Sequence, residues 1–155
     1  MKNIGFIGLG NMGSKMVLHL LSAGYNVDGF DTNEIVIDPL ENKGLVKRHS
    51  LQEVVLNKDI VITMLPNGQV VENVVKEVAD ILNNNVIFID CSTIDVNTAI
   101  NINSFLSQKG LKFLDAPVSG GTIGADNGTL TFMVGGNKET YEKIFPILEE
   151  MGSKS

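Results

Sequence analysis

The chain has 155 residues, 43% of them hydrophobic and 19% charged, with a formal net charge of −6, one cysteine and no tryptophan. That is enough apolar material for a packed core, and an acidic chain without a Lys/Arg run lacks the concentrated basic surface that nucleic-acid binding needs. Cys91 has no partner for an internal disulfide and no second soft ligand beside it, so a reducing compartment and no structural metal are expected, and no apolar run reaches the length of a membrane span.

A first strand is expected at residues 3–7, and with no signal or transit peptide ahead of it the location expected is cytoplasmic, or the mitochondrial matrix if a leader has been removed. Directly after it come Gly8, Leu9, Gly10, Asn11, Met12 and Gly13, a GxGxxG that opens a helix whose apolar face is Met16, Val17, Leu20 and Leu21. A second strand at 26–30 ends at Asp31, 18 residues past Gly13. Further strands are expected at 45–47, 60–65, 86–90, 112–115 and 130–134. Several of these are continuous apolar runs, as strands buried on both faces should be. Between them, Val70, Val71, Val74, Val75, Val78, Ile81 and Leu82 make a helical stripe, followed by a turn at 83–85, and Ile100, Ile102, Phe105 and Leu106 make a weaker one. A last helix at 138–151 contains Pro146, which removes a helix hydrogen bond and predicts a break there. The alternation predicts an α/β fold of Rossmann type: one domain over residues 1–155, a doubly wound, mostly parallel sheet with helices on both faces.

The glycine motif in this setting predicts a dinucleotide site. A pyrophosphate lies against backbone amides at a helix N-terminus, where side chains would block it. Gly8 serves the turn out of the strand, Gly10 the close approach of the phosphates, and Gly13 the packing of helix on sheet. Asp31 is placed to accept hydrogen bonds from the adenosine ribose and to repel a 2′-phosphate, which favours NAD over NADP; as a simple turn acid it would need no ligand. Thr32, Asn33 and Glu34 add no cation, and Arg48 is the only arginine in the chain.

Ligands of such sheets sit at the carboxyl ends of strands. Three loops stand there: Met64-Leu65-Pro66-Asn67; Asp90-Cys91-Ser92-Thr93, whose hydroxyls suit a nicotinamide amide or ribose unless Thr93 caps the next helix; and Asp115-Ala116-Pro117-Val118-Ser119-Gly120-Gly121. The Ser-Gly-Gly offers one hydroxyl and unobstructed amides to a small carboxylate, or is a plain glycine turn. Asp115 is expected to fix local backbone rather than act as a base. His19, opposite the apolar stripe of its helix, and His49, in a polar stretch, are expected to be solvated. No acid or base suited to hydride transfer is found, so no catalytic residue is assigned.

With these residues assembled, the chain resembles the cofactor domain of the β-hydroxyacid dehydrogenase family, and most of all its branch that oxidises 3-hydroxyisobutyrate. The resemblance rests on Gly-Phe-Ile-Gly-Leu-Gly-Asn-Met-Gly (5–13), Thr-Met-Leu-Pro (63–66), Ile-Asp-Cys-Ser-Thr-Ile-Asp (89–95) and the Phe-Leu-Asp-Ala-Pro-Val-Ser-Gly-Gly that continues to Gly-Gly (113–136). It implies that residues 8–13 hold the pyrophosphate, Asp31 the ribose, and Leu65, Pro66 and Thr93 the rest of the cofactor path, while Ser119, Gly120 and Gly121 receive the carboxylate of a small 3-hydroxy acid. Val70 stands where the family has a cofactor-contacting asparagine, with Asn67 and Asn73 as candidates to replace it. The family's proton-donating lysine and helical, dimer-building domain lie beyond this stretch. The resemblance therefore implies the NAD-binding part of a homo-oligomeric oxidoreductase, inactive alone. Alternatives are an enzyme of the tartronate semialdehyde reductase type and a non-catalytic dinucleotide module.

Overall fold

The apolar runs become a parallel sheet. In the computed structural model, which describes residues 2–155, its strands are β1 (Asn3–Ile7), β2 (Asn26–Phe30), β3 (Val46–Lys47), β4 (Ile60–Thr63), β5 (Ile87–Asp90) and β6 (Lys112–Asp115), in the order β3-β2-β1-β4-β5-β6. The chain winds outward from β1 to β3, then returns beside β1 and winds the other way. That reversal opens a crevice between the carboxyl ends of β1 and β4.

Alternate residues of the strands inside β3 feed two cores. One face carries Ile4, Phe6, Ile62, Ile89 and Leu114 against α1 (Asn11–Ser22) and α7 (Lys138–Met151). The other carries Ile7, Val61, Phe88 and Phe113 against α4 (Gly68–Val78) and α5 (Val96–Gln108). Burial on both faces is why the strands lack polar alternation. The short helices α2 (Asp38–Glu41), α3 (Leu51–Val55) and α6 (Gly121–Asn127) complete the layers.

Three expectations need correction. Residues 130–134 do not join the main sheet: β8 (Leu130–Phe132) lies between an antiparallel β7 (Val118–Ser119) and a parallel β9 (Gly152–Lys154) in a second sheet. The strand β9 follows α7 directly, and Gly152 permits it, since a Cβ at that point would collide with the Leu130 carbonyl oxygen. The helix α7 is also continuous across Pro146. Pro146 and Glu142, whose carbonyl loses its partner, are both on the exposed side, where water satisfies the freed group, while Ile144, Ile147, Leu148 and Met151 hold the helix to the core. Finally, α4 ends at Val78, and Ile81 and Leu82 belong to the turn that follows.

Candidate functional site

At the crevice, β1 leads into a turn that the glycines shape for different reasons. Gly8 has φ +101°, and a Cβ there would strike the Met64 carbonyl oxygen. A Cβ on Gly13 would strike the carbonyl oxygen of Gly8, so helix and turn touch only because it is absent. Gly10 differs: its φ of −72° suits any residue, and a Cβ there would meet nothing within 4 Å. The space over Gly10 is open, and α1 begins beneath it with no side-chain cap and no acid in its first turn. Free amides and the positive end of the helix dipole therefore face that space, which suits a phosphate. The residues present fit a dinucleotide.

The cleft in front of this turn measures about 610 Å³. Of the residues singled out from sequence, it gathers Gly8, Gly10, Asn11, Met12, Gly13, Asp31, Leu65 and Pro66. Its remaining wall is Ile7, Phe30, Thr32, Leu51, Met64, Val70 and Val74, mostly apolar. Val70 and Val74 belong to the apolar helical stripe legible in the sequence, whereas no sequence signal marks Leu51. Val70 is itself part of the cleft wall. Asn67 caps α4, accepting from the Val70 amide at 3.0 Å, and Asn73 accepts from Gln69 at 2.9 Å, so both side-chain oxygens are engaged within their own helix.

Asp31 closes the turn. One carboxylate oxygen accepts from the Leu9 amide at 2.7 Å and the other from the Asn33 amide at 2.8 Å. It is thus a turn acid and, at the same time, a strut from β2 to the glycine loop, and each oxygen retains a lone pair for a ligand hydroxyl. Leu9 contributes that amide; its side chain is buried in the core. Arg48, the one arginine, donates to Asp28 at 2.8 Å, and Lys58 shares the same oxygen at 3.0 Å. Neither is a cleft residue.

Loops after β4 and β5 are tied together. The Leu65 amide donates to Ser92 Oγ at 2.8 Å, and the Ser92 amide donates to Asp90 at 3.1 Å. Ser92 is fully buried, a supporting position rather than a ligand-facing one. Thr93 is exposed and outside the cleft lining. It does not cap α5: Asp95 does, accepting from the Thr98 amide at 3.1 Å, and a hydrogen bond from the Thr98 hydroxyl, together with that from the amide, holds the Asp95 carboxyl below its usual range.

Ser119, Gly120 and Gly121 form a separate exposed turn between β7 and α6, with φ of +129° and +62° at the two glycines. The cleft does not include them. Asp115, at the root of this loop, departs from expectation. Its backbone pairs with Gly135, but its Oδ1 is buried without any partner, and burial, then the nearby Asp90, push its carboxyl up to about 6. His19 is not solvated as expected: its Nε2–H donates to the carbonyls of Ala125 and Asp126, at 2.9 and 3.0 Å, at the end of α6. It thereby joins the helix of the glycine loop to the helix of the Ser119 loop.

Comparison with known proteins matches residues 3–155 to the family described as the NAD binding domain of 6-phosphogluconate dehydrogenase. The chain belongs to this family of NAD-binding domains. A mitochondrial 3-hydroxyisobutyrate dehydrogenase of Drosophila melanogaster is 46% identical over 99% of this chain and 48% of its own length. An NAD-dependent L-serine dehydrogenase of Pseudomonas aeruginosa is 44% identical over 98% of this chain and 52% of its own. The structure of Mycobacterium tuberculosis 3-hydroxyisobutyrate dehydrogenase with L-serine superposes with a TM-score of 0.97 at 42% identity, over 99% of this chain and 53% of that one. The NAD-binding domain described here thus spans about half the length of the relatives it matches.

Proposed function

We propose that this domain holds NAD in the cleft and serves an enzyme that oxidises a small 3-hydroxy carboxylic acid to its semialdehyde. Gly10 carries the reading, because neither its φ nor any neighbouring atom requires glycine, whereas a phosphate on the α1 amides would. The amides at the start of α1 hold the diphosphate, and Asp31, already fixed by two backbone bonds, accepts from the adenosine ribose. An apolar wall including Leu51, Val70 and Val74 shelters the remainder and takes the place of an asparagine contact at Val70; Leu65, Pro66 and Thr93 continue the path towards the Ser119 loop. Bound NAD supplies the acceptor for the hydride that leaves the alcohol carbon.

Ser119 donates its hydroxyl hydrogen, and Gly120 and Gly121 their amides, to the substrate carboxylate. Both glycines are exposed and carry no side chain to block an approaching anion. No lining residue of the cleft is a lysine or histidine, so we assign the group that takes the alcohol proton to a part of the enzyme outside these residues, and this stretch alone binds cofactor without turnover. The substrate we infer is 3-hydroxyisobutyrate. L-Serine, another 3-hydroxy acid, is the second reading, supported by the relative named for it and by the M. tuberculosis structure.

A fluorescence titration with NADH and NADPH tests the reading. Binding of NADH at least about tenfold tighter than NADPH is expected from one unfavourable charge contact. Binding of neither would overturn it.

A further inference from the structure

Sheet register sets Ile7, Thr63, Asp90 and Asp115 side by side on β1, β4, β5 and β6. A row that begins in the cleft wall therefore ends at the root of the Ser119 loop. Asp90 is fully buried; its Oδ1 accepts from Thr63 Oγ1 at 2.8 Å and from the Ser92 amide, while its Oδ2 has no partner. The Oδ1 of Asp115 is buried and equally unpartnered.

Neighbouring strands stand about 4.8 Å apart, so two ionised carboxylates here would repel one another away from water. Among the described residues neither ion-pairs with a lysine, arginine or histidine. The covering helices α4 and α5 turn Val71, Val75, Ile102 and Leu106 inward. Of their charged groups, Glu72 pairs with Lys76, and Glu77 and the Asp95 cap are exposed. The remaining titratable neighbour is Cys91, whose thiol is pushed well above its usual range by burial and by both carboxylates. One proton resolves the arrangement, since a protonated carboxyl donates and its ionised neighbour accepts.

We propose that Asp90 and Asp115 share one proton between Asp90 Oδ2 and Asp115 Oδ1, and that this hydrogen bond is a positioning device tying the Leu65 turn to the Ser119 loop. On one side the tie runs through Asp90 and Ser92 Oγ to the Leu65 amide. On the other it runs through Asp115, whose N–H and carbonyl both bond Gly135, at 3.0 and 2.7 Å. Burial raises both carboxyls, and at Asp115 the nearby Asp90 adds to it. What the two loops hold rests on the function proposed above; the shared proton does not.

The test is a carboxyl-carbon NMR titration of this chain from acid to mildly alkaline pH, with exchange of the Leu65 amide followed in parallel. The pair is expected to lose its protons in two steps separated by about 2 pH units or more. Exchange at Leu65, corrected for its intrinsic pH dependence, should quicken about tenfold across the upper step. In Asp115→Asn the amide donates to Asp90 Oδ2 at every pH, so the upper step and the change at Leu65 should both vanish. Titration of both carboxyls in a single step near the ordinary value overturns the shared proton, and unchanged Leu65 exchange across the upper step overturns the tie. If Asp115→Asn does not fold, the titration of the unaltered chain decides. Loss of NADH binding alongside an intact two-step titration would count against the proposed function alone.

Discussion

Gly10 and Gly13 occupy one turn for opposite reasons, and substitution separates them. Gly13→Ala forces a Cβ onto the Gly8 carbonyl and is expected to cost about 1–3 kcal/mol of stability, read from urea unfolding. Gly10→Ala meets open space at an ordinary φ and should leave stability unchanged or raise it by about 0.5 kcal/mol, yet weaken NADH at least about tenfold by occupying the phosphate position. Equal NADH affinity in Gly10→Ala would sink the assignment of that space. Asp31→Asn turns one amide N–H towards an NH₂ group in place of an oxygen and is expected to cost about 1 kcal/mol. It should also narrow the gap between NADH and NADPH, since the repelling charge is gone. The motif made Gly8, Gly10, Gly13 and Asp31 legible, because these roles follow from backbone chemistry at fixed spacing. Leu51 was not legible: it reaches the cleft from a short helix whose place is set by packing against β1, β2 and α4.

At the scale of elements, helix capping is local chemistry. Asn67, Asp95 and Asn137 each accept an amide three residues on, and Asn137→Ala is expected to destabilise by about 1 kcal/mol through α7. The strands of the main sheet read well from sequence, since burial on both faces leaves an unbroken apolar run. The second sheet did not. β7 has two residues and β9 three, too few for a pattern of period two to show. Pro146 likewise misleads when read locally, because the cost of a missing hydrogen bond on a wet face is outweighed by four buried side chains on the opposite one. His19 shows the same limit: the carbonyls it caps lie 106 and 107 residues away.

Across the whole molecule, pH acts through the buried carboxyls. Burial and Asp90 lift the Asp115 carboxyl from 3.8 to about 6, so the folded state holds a proton that the unfolded chain releases. The stability from this group is full below about pH 4 and is lost as pH rises through about 6. The urea midpoint should therefore fall over that interval more steeply in the unaltered chain than in Asp115→Asn, and parallel curves would contradict the raised carboxyl. By itself the sequence determined the fold class, the glycine turn with its acid and the positions of the main-sheet strands along the chain, since each depends on periodicity or on backbone demands between near neighbours. Only the tertiary structure decided that Asp90 stands beside Asp115, that Ser92 supports Leu65 and that the cleft is walled by Leu51, Val70 and Val74. The first two come from register between β4, β5 and β6, strands distant along the chain, and the cleft wall from the packing of α3 and α4 beside the sheet; register and packing belong to the folded molecule rather than to any segment in it.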